Sequence, residues 1–152
     1  MKRSFIHKMI IWLGMLILLA ATVLIAAWWR SLPESIATHF GAGGQIDGYG
    51  SKSSLIALLV IAWLLYVMVS FAGFFVEALM RGEKAPPRAT ASLVVMIDVM
   101  GLLLAAVFAY LVVCSALCRD LGWWFDPVFI ACMCATALIG ITALLVNIVK
   151  KQ

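Results

Sequence analysis

Residues 9–29, MIIWLGMLILLAATVLIAAWW, contain no Asp, Glu, Lys or Arg. A helix of about 21 residues, at 1.5 Å rise per residue, spans the ~30 Å hydrocarbon core of a bilayer. A soluble helix of that length needs a polar face. A fully buried one needs a large soluble shell around it. The chain has 152 residues, of which 66% are hydrophobic and 12% charged, so no residues remain to build that shell. Soluble domains carry about a quarter charged residues.

Three more apolar runs follow: Leu55 to Val76, Leu93 to Leu117 (broken by Asp98), and Pro127 to Val149. The expected fold is all-α and integral to the membrane. It comprises four transmembrane helices at about 9–29, 55–79, 91–117 and 127–149, with an outer loop over 30–54, in a single membrane domain covering 1–152. Short connections make sequential helices antiparallel neighbours, which predicts an antiparallel four-helix bundle. Lys2, Arg3 and Lys8 resemble the basic start of a signal peptide. The apolar stretch after them is too long for one and runs on through Trp28 and Trp29, so an uncleaved first helix is expected.

Orientation follows from Lys and Arg in the short loops. Lys2, Arg3, Lys8, Arg81, Lys84, Arg88, Lys150 and Lys151 make eight on one side, and Arg30, Lys52 and Arg119 make three on the other. The side with eight is expected to be cytoplasmic, with both termini there. The net charge of +4 then reflects topology and anionic headgroups, not nucleic acid. Trp28, Trp29, Trp123 and Trp124 are expected as an aromatic belt at the outer interface, with Trp12 near the inner one.

The loop after the first span holds Gly41, Gly43, Gly44, Gly48 and Gly50, five of the eleven glycines. Interleaved with them are His39, Phe40, Asp47, Tyr49 and Lys52. A flexible linker would be monotonous in Gly and Ser. This one reads as an ordered, turn-rich, Gly-rich loop. Pro33 fits a short helical turn or an extended stretch. Ser51 or Ser53 is placed to cap the second helix, and Pro127 to open the fourth. Gly101, Ala105 and Ala109 form a small-residue ridge at spacing four, which permits close packing within the chain or in a homo-oligomer.

The segments Leu32-Pro33-Glu34-Ser35-Ile36-Ala37-Thr38-His39-Phe40 and Gly44-Gln45-Ile46-Asp47-Gly48-Tyr49-Gly50-Ser51-Lys52 resemble a pattern found after the first helix of one bacterial membrane family. That pattern is LPxxIPxHF, then G..DG(W/Y)GSK. The family is domain of unknown function 1648, found at the N-terminal end of SdpI-type toxin-immunity proteins. The likeness covers about 20 residues of loop, the first helix and the start of the second. Ala37 stands where the family usually has proline, and the four spans are fewer than SdpI proteins typically have. The resemblance implies a bacterial inner-membrane protein. It also implies protection against a secreted, membrane-active peptide toxin, and signalling in which a cytoplasmic repressor is held at the membrane.

Glu34, His39, Phe40, Asp47, Tyr49 and Lys52 are the candidate contacts for a peptide toxin or membrane-protein partner. His39 and Asp47 with Glu34 offer donors that suit a zinc-like ion. Their spacings of five and eight residues match no ligand motif, so no metal is assigned. The plainer reading packs His39 under the loop and lets Asp47 cap a turn. Lys52 and Glu34 are placed to pair across the loop.

Asp98 is costly in hydrocarbon, roughly 2.5–3.5 kcal/mol on insertion scales, and is expected to face the bundle interior. Glu77 is expected at the same depth. The two form a candidate proton or cation site. The alternative is that Asp98 is neutral or pairs with Arg88 or Arg81 while Glu77 snorkels to the interface. Cys114, Cys118, Cys132 and Cys134 read as packing residues, with a disulfide from Cys118 to the fourth helix as the rival reading. Asn147 and Thr142 are read as interhelical hydrogen-bonders.

No nucleophile elbow, phosphate loop or HExxH motif is present. The chain is therefore expected to be non-enzymatic and to need no cofactor. Its partners are expected to be the lipid bilayer, a toxin or membrane protein at the outer loop, and a cytoplasmic protein at Arg81 to Arg88. The alternative is a small transporter or accessory subunit of a membrane complex that uses Asp98 and Glu77.

Overall fold

A computed structural model describes residues 5–82 and 87–149. It contains helix α1 (Phe5–Trp28), strands β1 (Ser35–Phe40) and β2 (Ile46–Ser51), and helices α2 (Ser54–Gly82), α3 (Pro87–Leu117) and α4 (Phe125–Val149). Each helix includes a stretch long and apolar enough to cross a membrane. The interior of the hairpin expected over Arg81 to Arg88 lies outside the described residues, as do the terminal lysines and arginines; nor are the side chains of Arg81, Arg88 and Asn147 described.

Two boundaries move in ways that matter. α1 starts at Phe5, not Met9, because Phe5 and Ile6 are themselves apolar and His7 is accommodated inside the packing. α4 starts at Phe125, so Pro127 falls inside its first turn, where the missing N–H costs nothing. The rule that makes sequential helices neighbours holds only in part. α3 is the helix on which α1, α2 and α4 all pack, whereas α1 and α2 touch at few points. Ala105 is fully buried, and Gly101 faces Val69 and Tyr66 of α2, so the small-residue ridge is used inside the chain. It is not a free face for self-association. Only 6% of the apolar window of α4 is buried, against 22–28% in the other three. α4 is therefore a peripheral helix with an extensive apolar exterior.

The segment between α1 and α2 is not the turn-rich loop of an all-α fold. It is an antiparallel hairpin that pairs Ser35 with Ser51, Ile36 with Gly50, Ala37 with Tyr49, His39 with Gly48 and Phe40 with Ile46, with irregularities beside His39. Composition misleads here because the glycines of β2 make room for β1. A Cβ on Gly48 would lie 2.9 Å from His39 Cβ, and one on Gly50 would lie 2.9 Å from Thr38 Cγ2. The turn itself uses Gly43 and Gly44 at φ of 82° and 73°, values that only glycine takes without strain.

Packing divides into two layers. Near the hairpin, Ile25, Leu32, Ile36, Leu55, Leu59, Val112 and Ala116 form one cluster, so β1 is anchored by Ile36 in the helical core. Deeper, Leu18, Ala62, Tyr66 and Ala105 form a second. Tyr66 fits a notch at Gly14, where a Cβ would approach its ring to 2.8 Å, and its hydroxyl donates to the Ile11 carbonyl.

At the start of α2, Ser53 Oγ donates to Ser51 Oγ at 3.0 Å, so the two serines bond each other. Thr142 Oγ1 donates to its own helix at Leu138 O, 2.8 Å away, not to a neighbouring helix. The four cysteines are free, so the Cys118 disulfide is not formed; the Cys118 thiol faces Ser35 O at 3.9 Å.

α3 ends in a Schellman motif. Arg119 N donates to Cys114 O at 3.0 Å and Cys118 N to Ser115 O at 3.3 Å, with Cys118 at φ 47° where glycine is usual. Left-handed backbone costs a non-glycine residue roughly 1–2 kcal/mol. Cys118→Gly is therefore expected to raise stability by about 1 kcal/mol, read as a higher midpoint of thermal unfolding in detergent.

Candidate functional site

The hairpin is fastened at its tip and at its base. At the tip, Leu121 N donates to Gly44 O at 2.8 Å, and Ile46 N donates to Asp120 Oδ1 at 2.8 Å. These bonds tie it to the α3–α4 connection. Gly44 and Gly122 approach so closely that a Cβ on Gly44 would lie 2.8 Å from Gly122 O. That connection is held in turn by Tyr110, whose hydroxyl donates to Leu121 O at 2.8 Å and whose ring packs on Trp124 and Phe125. At the base, Lys52 N donates to Glu34 O at 3.0 Å and Lys52 Nζ donates to Glu34 Oε1 at 2.7 Å. The same ammonium lies 5.6 Å from the centre of the Trp29 ring, within cation–π range.

The six residues singled out in this segment therefore sit on one small platform. His39 and Asp47 contact each other across the strands through Nδ1 and Oδ1. Their side chains are 74% and 50% exposed, so His39 does not pack under the loop, and a pair this wet adds little stability. Tyr49 is exposed, and Phe40 is half-buried at the end of β1. Among the described residues no group of three metal-ligating side chains occurs.

At the opposite end, Asp98 Oδ2 lies 3.0 Å from Nδ1 of His7, with both side chains almost wholly buried. This contact joins α1 to α3. Glu77, five residues before the end of α2, is buried as well and does not snorkel to the surface. His7 was missed because the run of uncharged residues begins after Lys8, which places a helix boundary just behind the histidine. The available signal was the apolar pair Phe5–Ile6, which extends the helical pattern past it. Sequence alone offered Asp98 the acid Glu77 or the arginines Arg88 and Arg81 as companions, whereas the structure sets it against the His7 imidazole.

Four spanning helices, an apolar exterior and polar contacts gathered inside define a multi-pass membrane protein. Residues 16–68, from α1 through the hairpin into α2, match the family model described as Domain of unknown function (DUF1648). No curated protein and no solved structure matches the chain.

Leaving a buried polar group without its hydrogen-bond partner typically costs about 1–3 kcal/mol, whereas replacing both partners by apolar groups is far milder. His7→Leu alone is expected to lower stability by roughly that amount. Combining it with Asp98→Leu should recover part of the loss. A double-mutant cycle on unfolding in detergent measures the coupling, and strict additivity would show that the contact contributes nothing.

Proposed function

We propose that this protein is a non-enzymatic membrane receptor-like protein of the SdpI type that recognises a peptide toxin or partner protein through its hairpin, in an immunity or signalling role. The observation that carries this reading is the rigid fastening of an exposed hairpin. Backbone bonds to Leu121 and Asp120, the Lys52–Glu34 pair and the Ile36 anchor hold it, while His39, Asp47 and Tyr49 are presented outward. Pre-ordering a recognition surface lowers the entropy cost of binding. Tyr49 supplies large contact area at low rotamer cost. The His39–Asp47 pair offers a polar edge that charged or hydrogen-bonding peptide groups fit.

The setting proposed is the bacterial inner membrane, with termini in the cytoplasm and the hairpin outside. The uneven distribution of Lys and Arg, eight against three, supports it. A cytoplasmic partner would then meet the Arg81 to Arg88 connection. The test is deletion of the gene followed by challenge with secreted antimicrobial peptides. Deletion is expected to sensitise cells, wild type to restore resistance, and His39→Ala or Asp47→Ala to restore it poorly at equal protein level. Unchanged sensitivity on deletion removes the immunity reading.

The burial of the His7–Asp98 contact favours a second reading. Ionisable groups at membrane depth often mark ion or proton paths. In this reading the chain is a small transporter or accessory subunit in which Asp98 and Glu77 handle a proton or cation. Reconstituted vesicles carrying a pH-sensitive dye should show proton flux that Asp98→Asn abolishes. Flux equal in the variant and the wild type sinks this reading.

A further inference from the structure

α1 and α2 are both held on α3 but touch each other at few points. Between them lies a cleft of about 560 Å³, within the range of small-molecule sites. Its walls include Ile25 and Leu59, buried members of the outer core cluster, together with Thr22 and Trp63. Trp63 Nε1 donates to Thr22 Oγ1 at 3.1 Å, so the polar groups in the wall satisfy each other and present an apolar surface. Trp29 and Arg30 stand at the end of the cleft where α1 stops. Arg30 is exposed and makes no ion pair among the described residues, and no acidic side chain lines the cleft. The neighbouring Lys52 is already engaged by Glu34.

We propose that this cleft binds one anionic phospholipid, with its phosphate on Arg30 and an acyl chain laid along Ile56 and Val60 against Trp63. Charge complementarity selects this occupant. Ile56 and Val60 in the cleft wall are exposed, at the depth of acyl chains, and its cation lies at the depth of headgroups. Guanidinium binds phosphate through paired N–H donors. An apolar helix from another protein would fill the cleft but would leave Arg30 without a counter-charge.

The test uses the full chain with Trp63 kept and the other five tryptophans replaced by phenylalanine. It is reconstituted in phosphatidylcholine with a minor fraction of brominated phosphatidylglycerol or, separately, brominated phosphatidylcholine. Bromine quenches a tryptophan it touches. The brominated phosphatidylglycerol is expected to occupy the site about fivefold more effectively, the factor that ~1 kcal/mol per interfacial basic group corresponds to. Arg30→Lys should keep most of this preference, and Arg30→Gln should abolish it. Ala26→Phe, which fills the cleft, should abolish it with Arg30 intact. Equal quenching by the two headgroups overturns the proposal, as does a preference that survives Arg30→Gln. Protection of Trp63 from both lipids also overturns it, since a second copy or another peptide then covers the cleft. Native mass spectrometry of the unaltered chain is the independent measurement. It should show one retained phosphatidylglycerol that Arg30→Gln loses, and equal retention by both would overturn the assignment.

Discussion

Everything in this fold depends on α3 being narrow where α1 and α2 reach it. In a bilayer, lipid tails are as apolar as leucine, so helices gain little from hiding apolar surface from one another. Close van der Waals contact and satisfied polar groups must hold them instead. Gly101 and the fully buried Ala105 supply the close approach, and Tyr66 fills the space between α2, Gly14 and the backbone of Ile11. Polar links among the described residues include Trp63 to Thr22 and Tyr66 to Ile11 between α2 and α1, and His7 with Asp98 between α1 and α3. α4 meets α3 where Gly140 lies against Met96, and it stays at the periphery.

The same scarcity of contacts between α1 and α2 organises the hairpin end. The chain between them crosses a gap that neither helix closes, and it does so as paired strands because unpaired backbone at a membrane boundary is costly. The hairpin then satisfies the α3–α4 connection through Gly44, Ile46 and Asp120. One consequence is a hairpin platform fastened to the α3–α4 connection. The other is the cleft left beneath it, with Arg30 at its mouth. The proposed recognition surface and the proposed lipid site are thus two results of one geometrical fact.

The two polar pairs weighed for function differ in environment, which decides what each can do. His39 and Asp47 are wet, so their contact adds little stability and both side chains stay accessible from outside the fold. His7 and Asp98 are dry, so their contact governs the fit of α1 on α3.

The sequence by itself determined the four spans, because a charge-free run about 21 residues long has no stable alternative in water. It also marked the segment from Leu32 to Lys52, which lies within the stretch that matches the family model, by a local and dense pattern of LP, HF and DGYGSK. It misjudged that segment's conformation, since five glycines read as turns when two of them are spacers opposite β1 side chains. Only the tertiary structure decided which helix is central, that the small-residue ridge faces inward, and that Asp98 meets His7, 91 positions away in the chain. The reason is physical. Spans are set by the transfer free energy of local composition, whereas partners are set by which faces meet, and faces meet through contacts that no local window of sequence contains.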